Sequence, residues 1–129
     1  MQVSHLDHLV LTVSNIDATL DFYQRVLGMR MLTFSDGRVA LHFGKPGYEQ
    51  KINLHQAGQE FEPRAHRPTA GSADLCLLTE MPLADAMQEV RDCGVDIIAG
   101  PVPRTGASGP MESFYFRDPD LNLIEICHY

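Results

Sequence analysis

Apolar and polar residues alternate over residues 5–13, with Leu6, His8, Val10 and Thr12 on one side and Leu9, Leu11 and Val13 on the other. A period of two predicts a half-buried strand. The period then changes: Ile16, Leu20, Tyr23 and Leu27 recur at helical spacing, with Ser14 or Asn15 able to cap the start, Asp17 and Asp21 near the positive end, and Gly28 as the stop. Residues 29–34 and 38–43 read as strands around the turn Ser35-Asp36-Gly37, residues 44–47 as a second turn, and residues 51–55 as a fourth strand.

The same order returns further on. Residues 74–98 superimpose on residues 8–32 without a gap, placing Asp74 on His8 and Gly94 on Gly28. A fixed internal offset marks a duplicated module. The second copy predicts a strand over 72–79, a helix over 83–93, a short strand around 96–98, a Gly/Pro-rich loop over 101–110, and a hairpin of 112–117 and 122–127 about the turn 118–120. Residues 56–71, QAGQEFEPRAHRPTAG, lack periodicity and read as the connection. The expectation is an α+β chain of tandem βαβββ modules in a single domain, 1–129. Module one covers about 4–56, the linker about 57–71 and module two about 72–129.

Composition narrows the function classes. A net charge of −7 and scattered basic residues argue against nucleic acid, whose phosphates demand clustered Lys and Arg. No apolar run approaches a membrane span, and the first residues lack the basic region and apolar core of a secretory signal, so a cytoplasmic protein binding small molecules is expected. Cys76, Cys93 and Cys127 are odd in number and have no CxxC spacing; buried, reduced thiols are expected. With about 60 residues, each module is marginal alone, so the halves should share a core or pair with a partner chain.

Chemistry gathers on the first and fourth strands of each copy. Matching 52–55 to 124–127 aligns Asn53 with Glu125, so His8, Asn53, Asp74 and Glu125 stand at symmetric places among apolar neighbours. A carboxylate between Ile124 and Ile126 is costly to bury unless it faces a cavity, a partner or a metal. His55 shares the strand face of Asn53, about 7 Å farther along.

In DHLVLTV, DFYQRVLGM, KINLH and above all FRDPDLNLIEI, the chain resembles the vicinal oxygen chelate superfamily, which includes glyoxalase I, extradiol dioxygenases and bleomycin-resistance proteins. The resemblance spans essentially the whole chain. It implies modules that curl as a mixed sheet around a central cavity holding one divalent metal, with His8 and Glu125 at the positions of family ligands. Asp74 stands where many members have a second histidine, and Asn53 where glyoxalase I has glutamate or glutamine.

One imidazole with two carboxylates suits Mn, Fe, Ni or Mg better than a sulfur-rich zinc site, although zinc stays in the set. On this reading His8, Asp74 and Glu125 hold the metal, Glu125 or His55 moves a proton, and Asn53, His55, Tyr115 and Arg104 contact substrate. The implied activity is that of a metal-dependent lyase or isomerase acting on a small oxygenated metabolite through an enediolate-like intermediate, in a homodimer. Two alternatives stand beside it: a metal-free ligand-sequestering protein similar to bleomycin-resistance proteins, and an extradiol-type dioxygenase, in which His55 would replace Asp74 as second main ligand. Plainer roles compete residue by residue: a satisfied strand histidine for His8, an edge carboxylate for Asp74, a surface salt bridge for Glu125, core packing for Tyr115, and a solvated charge cluster for Arg64, His66 and Arg67.

Overall fold

The computed structural model describes all 129 residues and divides into two units, Met1–Ala70 and Gly71–Tyr129. The first contains β1 (His8–Val13), α1 (Ile16–Leu27), β2 (Arg30–Phe34), β3 (Arg38–Phe43) and β4 (Gln50–Gln56). The second contains β5 (Asp74–Leu78), α2 (Leu83–Asp92), β6 (Ala99–Gly106), β7 (Gly109–Arg117) and β8 (Leu123–His128). Each unit is a βαβββ module with one four-stranded mixed sheet, ordered β1-β4-β3-β2 in the first and β5-β8-β7-β6 in the second. The duplication legible in the sequence is therefore a duplication of topology.

In module one, Asn15 caps α1 by accepting from the Ala18 N–H at 2.9 Å, and Gly28 ends the helix in the left-handed conformation. The helix packs over β2, β3 and β4. Its buried Thr19, Leu20, Phe22, Tyr23 and Val26 accompany Leu11, Val13, Leu41, Ile52 and Leu54, the sheet positions of one parity. In module two, Leu83, Ala86, Met87 and Val90 of α2 and Phe114, Phe116, Ile124 and Ile126 of the sheet form the corresponding core. Positions of opposite parity point to the face without a helix, and this is where the polar candidates lie.

Several boundaries move. β1 begins at His8, so His5 lies outside the strand. No strand forms over 96–98; β6 instead occupies 99–106, most of the segment expected to be a Gly/Pro-rich loop. β6 is an edge strand, where the N–H groups missing at Pro101 and Pro103 need no ladder partner. Its pairing with β7 shifts between Ala99 and Val102, and Gly100 at φ 110° sits in that irregularity. A Cβ on Gly100 would lie 2.6 Å from the Cα of Phe114 and from the carbonyl oxygen of Ser113, so only glycine allows this strand to approach β7. The expectation of buried thiols fails for Cys76, which is exposed as a residue although its sulfur lies beside Cys127 and Glu125 and is partly desolvated there; Cys93 is half-buried and Cys127 buried.

The FRDPDLNLIEI segment, its strongest family signature, is structural at its turn. Asp118 accepts from the Asp120 N–H (2.9 Å), the Asn122 N–H (3.0 Å) and the Asn122 carboxamide (2.8 Å). Asn122 is fully buried, and its Oδ1 accepts from the Ala73 N–H at 2.9 Å, tying the start of β5 to the β7–β8 hairpin. The turn thereby sets the register that delivers Glu125. Asn122→Ala removes hydrogen bonds from two buried groups at about 1–3 kcal/mol each. Denaturant unfolding is expected to show a loss of roughly 3 kcal/mol; a loss within error of zero would contradict this role.

Candidate functional site

Register fixes which polar side chains share the helix-free face. In module one, β1 pairs in parallel with β4: His8 stands opposite Lys51, Val10 opposite Asn53 and Thr12 opposite His55. His8 and Asn53 are thus on one face but staggered by two residues, roughly 8 Å apart along the diagonal of strand spacing and rise. Module two repeats the stagger, with Asp74 opposite Leu123 and Glu125 opposite Cys76. Glu125 also faces Tyr115 across the β7–β8 pair.

His8 is partly exposed, and its Nδ1 lies 2.6 Å from the Asp7 carboxylate. That contact holds the Asp7 carboxyl below its ordinary value, chiefly through the His8 hydrogen bond. A carboxylate on one ring nitrogen is the arrangement that orients a histidine whose other nitrogen, here Nε2, serves a ligand. Sequence reasoning did not single out Asp7; its adjacency to His8 was the available signal.

The equivalent positions Asn53 and Glu125 carry the same anomaly. Asn53 Oδ1 and Glu125 Oε1 are both buried with no hydrogen-bond partner. Buried polar oxygens are ordinarily satisfied, and an unsatisfied carboxylate oxygen is the costlier of the two. Around Glu125, burial first, then the neighbouring Cys127 and the Glu125 charge push the Cys76 thiol up to about 12. Tyr115 also moves up, through burial first and through hydrogen bonding to the Glu125 carboxylate and its charge in addition, against the lowering effect of the Arg104 hydrogen bond. Cys76 is therefore a neutral thiol with little nucleophilic character. Its presence beside Glu125 was concealed in the sequence by the two-residue stagger.

Arg104 lies in β6 and donates from Nε to the Tyr115 hydroxyl at 2.8 Å, with its guanidinium 5.4 Å from the ring centre. The structure thus brings Arg104, Tyr115, Glu125 and Cys76 together on module two, with Asp74 on the same face. It brings His8, Asn53 and His55 onto one face of module one. No three His, Cys, Asp or Glu side chains of the chain are gathered around one point as a ready metal site. Arg64 of the linker pairs with Glu62 at 2.9 Å, an exposed contact.

His55 is buried, edge-on to Phe61 with ring centres 5.6 Å apart. Phe61 comes from the connection after β4, so part of the expected linker closes over this face.

A βαβββ duplication with these donors at equivalent strand positions defines a class, and comparison agrees. Residues 5–126 match the Glyoxalase/Bleomycin resistance protein/Dioxygenase superfamily, and the chain belongs to it. It is 54% identical over 129 residues to Virulence protein STM3117 of Salmonella typhimurium, covering 100% of this chain and 87% of that one. The crystal structure of that protein superimposes with a TM-score of 0.95, covering 100% and 99% of the two chains. An integron cassette protein from V. cholerae has 59% identity and a TM-score of 0.95, covering 100% and 98%. Lactoylglutathione lyase of Neisseria meningitidis serogroup A is 30% identical over 124 residues, 92% of this chain and 86% of that one.

Burial lowers the His55 pKa from its ordinary 6.5, and the positive charge of Arg38 adds to the effect, opposed by Glu60. As pH falls from 6.5 toward the depressed folded value, the unfolded chain takes up a proton that the folded chain refuses, so stability declines. Thermal or urea unfolding between pH 7 and pH 5 is expected to show a slope that His55→Gln reduces, by at most about 1.4 kcal/mol per pH unit. An unchanged slope in the variant would contradict the environment assigned to His55.

Proposed function

We propose that the chain is a metal-dependent lyase or isomerase of the glyoxalase I type, acting on a small oxygenated metabolite. The observation that carries this reading is the buried Glu125 Oε1 without a hydrogen-bond partner. A carboxyl group so placed is suited to a cation, and one imidazole with two carboxylates is a donor set for a hard or borderline divalent ion. His8, with Asp7 behind it, Asp74 and Glu125 would hold Mn, Fe, Ni, Mg or Zn. Such an ion supplies Lewis-acid polarisation of a substrate carbonyl oxygen.

The remaining steps belong to the chain's own residues. Glu125 moves the proton at the carbon next to the carbonyl, a task that needs a carboxylate within hydrogen-bond reach of the reacting carbon. Tyr115, held by Arg104, and the neutral Cys76 thiol line the same face and orient the substrate beside Glu125. On module one, Asn53 Oδ1 accepts a substrate hydroxyl, with His55 as a second polar contact. The long connection and the small size of each module favour a homodimer. The likeness to lactoylglutathione lyase supports a substrate with adjacent oxygens. A cytoplasmic location accompanies the proposal.

Elemental analysis of freshly purified protein and calorimetric titration with Mn, Fe, Ni, Mg and Zn test it. Tight uptake of one ion is expected, weakened at least about tenfold in Glu125→Gln and in His8→Ala. Turnover in a screen of thiol adducts of dicarbonyls should be lost with Glu125→Gln. No bound metal and no uptake would overturn the enzyme reading in favour of metal-free ligand sequestration, and ring cleavage of a catechol with Fe(II) would favour the dioxygenase.

A further inference from the structure

The chain carries 17 acidic residues against ten Lys and Arg, yet one sheet face reverses that balance. On the helix-free face of module one, register places Arg30 opposite His42, His42 opposite Lys51, and Lys51 opposite His8, a row of four basic side chains across all four strands. Phe34 stands opposite Arg38 on the same face. None of the strand positions of this parity in β1 to β4 is Asp or Glu.

Arg38 and Lys51 are held there without being neutralised. The Arg38 guanidinium lies 4.4 Å from the centre of the Phe61 ring, and the Lys51 ammonium 3.9 Å from that of Phe34. Neither makes a salt bridge. The carboxylates at the margin make their short contacts elsewhere: Asp7 with His8, though it also feels the Lys51 charge, and Glu60 with the Gly58 N–H at 3.1 Å and with the charge of Arg64. An aromatic ring under a cation restricts it while leaving its N–H donors free for an oxyanion. Between the basic groups lie Val10, Leu32 and Ala40 and the unpartnered Asn53 Oδ1, an apolar floor with one acceptor for a hydroxyl.

We infer that this face is an oxyanion subsite, and that the ligand is a small oxygenated molecule carrying a carboxylate or phosphate group. The inference names the substrate class for the proposed function, since His8 lies on the same face, but it does not require the metal. Arg38 and Lys51 bind the oxyanion, the stacked guanidinium offering paired donors and the ammonium a point charge. In a chain this acidic, a local positive field also selects an anion from neutral analogues of the same shape.

The test uses full-length, chelator-treated protein at low salt. Calorimetry or NMR titration compares 2-oxobutanoate with 2-oxobutanamide, its neutral amide of similar size, and then adds inorganic phosphate as competitor. The oxoacid is expected to bind at least about tenfold tighter than the amide, and to weaken as salt screens the cations. Arg38→Met with Lys51→Met should erase the difference, while Arg91→Met on α2 should preserve it. Displacement by phosphate marks a general oxyanion site and its absence a carboxylate site; both support the inference. Equal affinity for the oxoacid and its amide, no binding of the oxoacid, or a difference that survives in the double variant would overturn it. Should the double variant fail to fold, the comparison on the native chain still decides. Metal uptake is absent from every arm, so a failed metal titration and a failed oxyanion titration are separate results.

Discussion

In each module the first strand runs parallel to the fourth, and everything polar depends on the register of that one ladder. A parallel pair cannot be closed by a tight turn; it requires a crossover, here a helix and two further strands. The helix covers one face of the sheet and leaves the other open, so strand parity becomes the choice between core and site. A slip of one residue in β5–β8 would drive Glu125 into the layer of Phe114, Phe116 and Ile124 and expose Ile124 and Ile126 in its place. The hydrogen-bonded turn of Asp118 and Asn122 prevents that slip at the end where the two strands meet.

The two open faces have diverged electrostatically while keeping the same geometry. Module one presents Arg30, Arg38, His42, Lys51 and His8, whereas module two presents Asp74 and Glu125 with Arg104 bound to Tyr115. Divergence of this kind costs nothing in the core, because its buried sheet residues, among them Leu11, Leu41, Ile52, Leu54, Phe114, Phe116, Ile124 and Ile126, lie at positions of the opposite parity. One face is thus rich in basic side chains and the other carries carboxylates.

Much of this was legible from periodicity. Strand alternation placed His8 with Val10 and Thr12, the fixed offset put Asp74 on the first strand of the second copy, and the match of 52–55 to 124–127 put Glu125 on its fourth. What escaped was whatever depended on pairing between strands. Periodicity assigns a side chain to a face but does not say which residue stands opposite it, so Cys76 beside Glu125 and Lys51 beside His8 were not foreseen. β6 escaped for another reason: Pro101, Pro103 and Gly100 are strong loop signals, and only the edge position in the sheet makes them compatible with a strand. Phe61 was assigned to a connection because nothing local reveals that a ring in an aperiodic segment will pack on His55.

The equivalence of Asn53 and Glu125 carries the argument one step further. Both lie on the fourth strand of their module, each opposite the second helix-free-face residue of the first strand, Val10 and Cys76, and each holds one buried oxygen with no partner. The two copies thus place an oxygen acceptor at both positions, an amide at one and a carboxylate at the other. With Asp74 and Glu125 as the anionic donors, a divalent ion would be neutralised by two carboxylates, and a glutamate at position 53 would add a third negative charge to buried surroundings. An amide at that position instead keeps an oxygen available and, beside Lys51 and Arg38, leaves the positive field of module one undiminished for an anionic ligand. Under the proposed function, the difference between the copies would be a division of labour, the carboxylate serving the cation and the amide the substrate.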